Sequence, residues 1–343
     1  MISWLPESNY LREKKKGIRM NDRLDKYFTQ YLEDYAFLEL MPDYVKRERL
    51  DFMRHVPMPV KKQLVGNLAV DKGIEFKHFT MGMISIMGIN PSFKFVPQYV
   101  NFLNYINSDI AGAMVTVGME QAKAGDLDQA CITLRAALVI DPDNVDALYN
   151  YMLACRNIYL DSDDNACITD FKTEVFESLI RLKELAPDFD MTYYYLGFAY
   201  INSGKYREAQ EAWERFIKLT KSSQERIEIR DRLRDIEEPV LIEHGYNCVI
   251  GGQWEEGLAI LESYKDSEKM EWWPLPYYLG VGYSRTGRYD EAIEMLKQAL
   301  KGNPSSAEIM AELVIAHNAL GDEINAEKYK KKMDIVRKGL PEE

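Results

Sequence analysis

Cysteine is scarce: Cys131, Cys155, Cys167 and Cys248 are the only four in 343 residues, and none forms a C-x-x-C pair. That spacing argues against a zinc ribbon or a thioredoxin-like motif and fits reduced core thiols in a cytoplasmic protein. No apolar run approaches the roughly 18–20 residues of a membrane span. Positive charge is also short. Lys and Arg number 43 against 55 Asp and Glu, a net charge of -12, which disfavours nucleic acid and anionic membrane surfaces as partners. The four histidines, His55, His78, His244 and His317, share no ligand or triad spacing. There is no phosphate-binding Walker loop, no G-x-S-x-G and no H-E-x-x-H. The pairs Glu255-Glu256 and Glu237-Glu238 read as exposed charge. These absences predict no catalytic residues, no cofactor and no metal site.

What is present is enough to fold. The chain is 46% hydrophobic and 12% aromatic, well outside the range of disordered chains. Its length implies more than one compact domain or one elongated one. Residues 1–20 hold Lys14, Lys15 and Lys16 with no apolar segment behind them. A weakly ordered basic extension is expected there in place of a signal peptide, with Met20 a candidate start.

The most informative stretch is 273–306. Leu279, Gly280, Tyr283, Gly287, Tyr289, Ala292, Leu296, Ala299 and Pro304 stand there at helical spacings. One helix is predicted over 276–286 and a second over 289–301. Gly280 and Ala292 are small enough to let two antiparallel helices approach. Gly287 suits a left-handed helix end, and Pro304 stops the second helix. The pattern recurs at 111–144 with Val117, Gly118, Gly125, Ala130, Leu134, Ala137 and Pro142. It recurs again at 190–223 with Leu196, Gly197, Tyr200, Gly204, Tyr206, Ala209, Trp213 and Phe216. Weaker copies lie at 145–189, 238–271 and 307–340.

This spacing resembles the tetratricopeptide repeat, a helix-turn-helix unit of about 34 residues. The resemblance covers residues 111–340, roughly two-thirds of the chain. It implies an all-α fold, a right-handed α-solenoid of helix pairs, each burying its apolar face against the next. In the second unit the closing proline, Pro187, comes about a third of a repeat late. The excess is expected in a polar loop around 160–166. In the third, Lys221 replaces the usual proline, so its second helix is expected to run on. Ser222 and Glu225 offer a capping box for an extra helix over 224–237. The last unit ends in Lys328, Lys330, Lys331 and Lys332, as a solvent-facing cap should.

Residues 21–110 match the repeat poorly but read as helical throughout. Leu24, Tyr27, Phe28, Tyr31, Leu32 and Tyr35 predict an amphipathic helix over 21–40, with Asn21 as N-cap. Further helices are predicted near 45–53, 60–71 and 74–87, and through Tyr99, Phe102, Leu103 and Tyr105. Leu68, Ala69 and Gly73 resemble the start of a DNA-binding helix-turn-helix. The next helix, however, carries Met81, Met83, Ile84, Ile86 and Met87 where a polar, basic recognition helix is required, so it belongs in a core.

Two ligand-like motifs fail on inspection. Asp161, Asp163 and Asn165 stand like ligands of a calcium loop, but Ala166 and Lys172 occupy the glycine and glutamate positions. A solvated turn capping the next helix is the expected reading. Gly280-x-Gly282 begins a dinucleotide fingerprint, but Arg285 takes the third glycine's place and no strand precedes it.

What remains is binding through shape. The repeat resemblance implies a groove lined by the first helix of each pair. Carried over, its positions are Met119 and Lys123, then Tyr149, Leu153, Arg156 and Asn157. Next come Tyr194, Phe198 and Asn202; Ile242, Tyr246 and Val249; Tyr277, Val281 and Arg285; and finally Ile315 and Asn318. Their aromatic, amide and guanidinium chemistry fits a protein or peptide segment. The competing reading of any one of them is packing against a neighbouring repeat. The expectation is a scaffold or adaptor. A ligand-responsive regulator acting through the N-terminal helices is the alternative, and an enzyme with a site in 20–110 ranks last. Self-association into a homo-oligomer is left open.

Overall fold

The computed structural model of the protein describes residues 2–4, 22–66 and 74–338. The expectations for Lys14 to Asn21 and for the turn at 68–73 lie outside the described residues. The chain divides into two compact units, 1–192 and 193–343.

The first unit opens with a small antiparallel sheet, β1 (Ile2–Trp4), β2 (Tyr35–Leu40) and β3 (Met58–Lys61), in the order β1-β2-β3. Between β1 and β2 lie a short helix, α1 (Asp25–Phe28), and flanking 3-10 turns. The helix expected over 21–40 therefore ends before Tyr35. Tyr35, Ala36, Phe37 and Leu38 are all buried and pair with residues 58–61. A short run of apolar residues suits a buried strand as well as a helix, and the choice was made by a distant partner. Pro59 sits in β3 at an edge of this three-stranded sheet, the kind of strand in which proline is tolerated.

After β2 the chain makes α2 (Pro42–Arg47), which breaks at Arg49 with φ 57°. The helix expected near 45–53 is thus only this short one and a 3-10 turn at Asp51–Met53. Residues 58–61, assigned in part to a helix over 60–71, are β3, followed by the short α3 (Lys62–Gly66). Then α4 (Phe76–Ile89) and α5 (Val96–Ile106) follow, as expected. Met83, Ile86 and Met87 of α4 are fully buried, so the methionine-rich helix is core. It approaches its neighbours closely. A Cβ on Gly82 would lie 2.1 Å from the Pro59 carbonyl oxygen, and one on Gly88 1.8 Å from that of Ile132.

The first repeat is α6 (Ile110–Lys123) with α7 (Leu127–Ile140), and the second is α8 (Val145–Asp161) with α9 (Asn165–Leu185). The extra residues of the second repeat lie in longer helices, 17 and 21 residues, and the connection is only Ser162 to Asp164. The expected polar loop is therefore short. Asp164 accepts a hydrogen bond from the Ala166 N–H at 3.0 Å, capping α9 as the calcium-like motif was read.

The N-terminal segment is fastened to these repeats. Arg23 pairs with Glu174 at 3.3 Å and Glu177 at 2.8 Å, and Lys26 with Asp170 at 2.7 Å. Asp25 meets Arg135, whose side chain is almost wholly buried and lies over the Phe28 ring. The Tyr151 hydroxyl donates to Glu174 at 3.1 Å. Burial pushes the Glu174 carboxyl above its ordinary value, against the pull of that hydrogen bond and of the Arg135 and Arg23 charges.

The second unit takes up the chain within α10 (Asp190–Asn202), which pairs with α11 (Tyr206–Leu219). Thr220 is extended, so α11 does not run on past Lys221. Ser222 accepts from the Glu225 N–H at 3.3 Å and starts the extra helix, α12 (Ser223–Asp235). Three further pairs follow: α13 (Glu237–Ile250) with α14 (Trp254–Leu261), α15 (Pro274–Arg285) with α16 (Tyr289–Gly302), and α17 (Ala307–Ala319) with α18 (Glu323–Lys338). Their core joins Leu261, Leu279, Tyr283, Leu296 and Leu313, all fully buried. The turns between paired helices carry Gly125, Gly204, Gly252, Gly287 and Gly321, with φ between 69° and 85°. Those values favour glycine because a Cβ clashes in the left-handed region. The result is an all-α helical-repeat fold, with the small sheet confined to the N-terminal part.

Candidate functional site

Within the first unit, α6 and α8 lie side by side as the first helices of their pairs. A hollow of about 500 Å³ opens along them. Its floor is apolar, with Gly118, Leu134 and Ala154 buried. Met119 and Leu153 line it, and Lys123 and Asn157 stand at exposed positions along it. Four of the expected groove residues are therefore brought together. Asn150, which the sequence reading missed, also lines the hollow, although its amide donates to the Asp146 carbonyl at 2.8 Å. Such a site can take one apolar side chain while the amides and Lys123 face the polar backbone or an acceptor group.

Tyr149 lies elsewhere on α8, edge-on to Phe189 with centroids 4.9 Å apart. Arg156 is half-buried and does not line the hollow.

The second unit treats its expected groove residues less uniformly. Tyr194 packs edge-on to Phe198 and Phe216, and its hydroxyl donates to Glu228 at 3.4 Å. Phe198 packs against Trp213, and the Arg232 guanidinium lies 5.8 Å from its ring centre. Glu228 and Arg232 both belong to α12, so the extra helix overlies these two rings. Asn202 is exposed at the end of α10.

Ile242 and Val249 are buried at 5% and 1% exposure and belong to the core, so they are withdrawn as groove residues. Tyr246 stacks on Tyr278 with centroids 4.9 Å apart, and Tyr278 meets Tyr277 at 5.1 Å. Burial, and then the Glu243 charge, push the Tyr246 hydroxyl up to about 12. Val281 packs partly buried against the core. Arg285 is engaged in a two-pronged pair with Glu312 at 2.8 and 2.9 Å, so its fork is already filled. Ile315 is exposed at 45% and Asn318 is exposed.

The paired helices, their glycine turns and the hollow beside two first helices define a helical-repeat protein. Family models for the tetratricopeptide repeat match residues 191–223 and 285–328. These two segments carry tetratricopeptide repeats. No curated protein sequence matches the chain. Among solved structures it is similar to the MamA protein, at 18% identity over 67% of this chain and 93% of that one, with a TM-score of 0.27. It is similar to the tetratricopeptide-repeat domain of P58(IPK) at 20% identity, 66% and 60% coverage and a TM-score of 0.36. A third similar structure is PilF of Pseudomonas aeruginosa, at 14% identity, 67% and 92% coverage and a TM-score of 0.32. Repeats of this family are in general protein-interaction scaffolds that bind protein or peptide partners, and they are typically not enzymes. Among the described residues no helix is long and apolar enough to cross a membrane.

Proposed function

We propose that the chain is a scaffold or adaptor that binds a peptide segment of a partner protein, and that the hollow beside α6 and α8 is the principal contact. The observation that carries this is the meeting of Met119, Lys123, Leu153 and Asn157 around one apolar-floored cavity. The apolar floor favours a large aliphatic or aromatic side chain, since burying one contributes about 1.5–3 kcal/mol. Asn157 and Lys123 then face the peptide's carbonyls or an acidic side chain. The half-buried Tyr246 and Tyr277 of the second unit offer a separate aromatic surface of their own.

The test uses a displayed random-peptide library selected on the immobilised full chain. Selected peptides should share one large apolar residue. Leu153→Glu should weaken their binding at least about tenfold while helical content and melting temperature stay unchanged. Undiminished binding to the Leu153→Glu protein would reject the hollow as the site.

A further inference from the structure

The fourth helix pair carries a feature unrelated to peptide binding. His244 and Cys248 are four residues apart on α13 and share one face. Glu256, on α14, faces them across the turn. The Cys248 sulfur lies 3.8 Å from His244 Nδ1 and 3.9 Å from Nε2. His244 Nε2 lies 3.9 Å from Glu256 Oε1. Donor atoms of all three groups fall within 4.8 Å of one another.

We propose that His244, Cys248 and Glu256 form a binding site for a divalent transition metal of the zinc class, which ties α13 to α14. Around a tetrahedral zinc ion, with bonds of about 2.0–2.3 Å, neighbouring ligand atoms stand about 3.3–3.6 Å apart. The three groups are within a few tenths of an ångström of that spacing on two sides, and a small side-chain rotation closes the third. A thiolate with an imidazole selects zinc-like ions over magnesium or calcium, which take oxygen ligands.

Two local features prepare the site. Gln253 Nε2 donates to Glu256 Oε2 at 2.9 Å, leaving Oε1 as the oxygen turned toward His244. An outer hydrogen bond of this kind holds a metal-ligating carboxylate in place. The side chains of His244 and Glu256 are 53% and 52% exposed, whereas Cys248 is 3% exposed. An ion can therefore enter from solvent on the side of His244 and Glu256, with water completing the fourth position. On binding, the Cys248 thiol proton passes to solvent as the sulfur–metal bond forms, and no electron is transferred. The location gives the staple a purpose. The second helix of this pair, α14, has only eight residues, and Gly257 stands where the repeat usually has alanine. A metal bridge would add a cross-link to a pair whose second helix is short.

The experiment titrates Co(II) into the metal-stripped, reduced full chain and follows absorbance. One equivalent should produce a thiolate-to-cobalt charge-transfer band and the strong visible bands of a tetrahedral ion, both displaced by zinc. Cys248→Ser and His244→Ala should each weaken binding at least about tenfold. Zinc should raise the melting temperature of the unsubstituted chain and not that of His244→Ala. That variant keeps the test decisive if Cys248→Ser does not fold, because His244 is exposed. Absence of the charge-transfer band, or a band unchanged in His244→Ala, overturns the proposal. The peptide-binding reading does not depend on either result.

Discussion

Gly197 lies directly against the Trp213 indole: a Cβ built on Gly197 would stand 2.0 Å from Nε1. The same Nε1 donates to the Tyr194 carbonyl at 3.2 Å, so the ring cannot retreat without losing a hydrogen bond. Trp213 is buried, and the absence of a Cβ at Gly197 is what lets the indole lie between α10 and α11. Gly197→Ala should therefore cost about 1–3 kcal/mol through overpacking. Denaturant unfolding checks this. A loss below about 0.5 kcal/mol would show that the indole is free to move.

Gly287 is required for a different reason. Its φ is 81°, and nothing lies within 4 Å of where a Cβ would be. Gly287→Ala should cost about 1–2 kcal/mol through backbone strain alone. Gly287→Asn should cost less, because asparagine tolerates the left-handed region. Equal losses for the two variants would point to a steric cause in place of a conformational one.

Asp25 and Arg135 form an ion pair with one buried member. Among the described residues, Nε and Nη1 of Arg135 have no hydrogen-bond partner. Removing the carboxylate with Asp25→Asn leaves a buried guanidinium less compensated and should cost about 3 kcal/mol. Arg135→Met removes the charge and refills the space, so it should cost less. The comparison is read from the denaturation midpoints of the two variants. A greater loss for Arg135→Met would mean that the guanidinium's contact with Phe28 matters more than its charge.

Glu174 makes stability depend on pH. Its folded pKa is raised by burial, so between the unfolded and folded values the folded chain binds more protons than the unfolded one. Stability should fall as pH rises from the ordinary carboxylate value of 4.5 through the folded value. Glu174→Gln should flatten that slope. Unfolding free energies measured across this range for both proteins decide the matter, and an unchanged slope would assign it to other groups.

Ser222 caps α12. Ser222→Ala should cost about 1 kcal/mol, and Ser222→Asp should largely keep the cap. Hydrogen exchange at the first-turn amides of α12 reports it directly. Unaltered exchange in the alanine variant would show that Thr220 and Arg226, joined by a side-chain-to-carbonyl contact, hold the helix start by themselves.

Much of the repeat architecture was legible without coordinates because its signals are local. Glycine at the turn, alanine and glycine at the helix crossing and apolar residues at three- and four-residue steps all act within one hairpin. Those residues placed the helices of 276–286 and 289–301 within a few positions of where they lie. The Ser222 cap and the Asp164 turn were legible for the same reason. The hollow was legible only in part. Met119, Lys123, Leu153 and Asn157 follow from repeat position, but burial of Ile242 and Val249 and the filling of Arg285 by Glu312 depend on neighbouring helices. The cluster of His244, Cys248 and Glu256 was not legible: the histidines showed no ligand spacing in the sequence, and the approach of Glu256 requires the turn of the hairpin.

Residue order alone was therefore sufficient for the all-α repeat, since each pair's apolar stripe can be covered only by another pair. It was insufficient wherever two distant segments had to choose each other. Tyr35 to Leu38 became a strand because residues 58–61 supplied unpaired backbone groups. The rings of Tyr194 and Phe198 lost open surface because α12 overlies them. Helical periodicity is written within a few residues, whereas strand pairing and the covering of a face are free-energy comparisons among segments far apart in the chain, and only the folded arrangement carries them out.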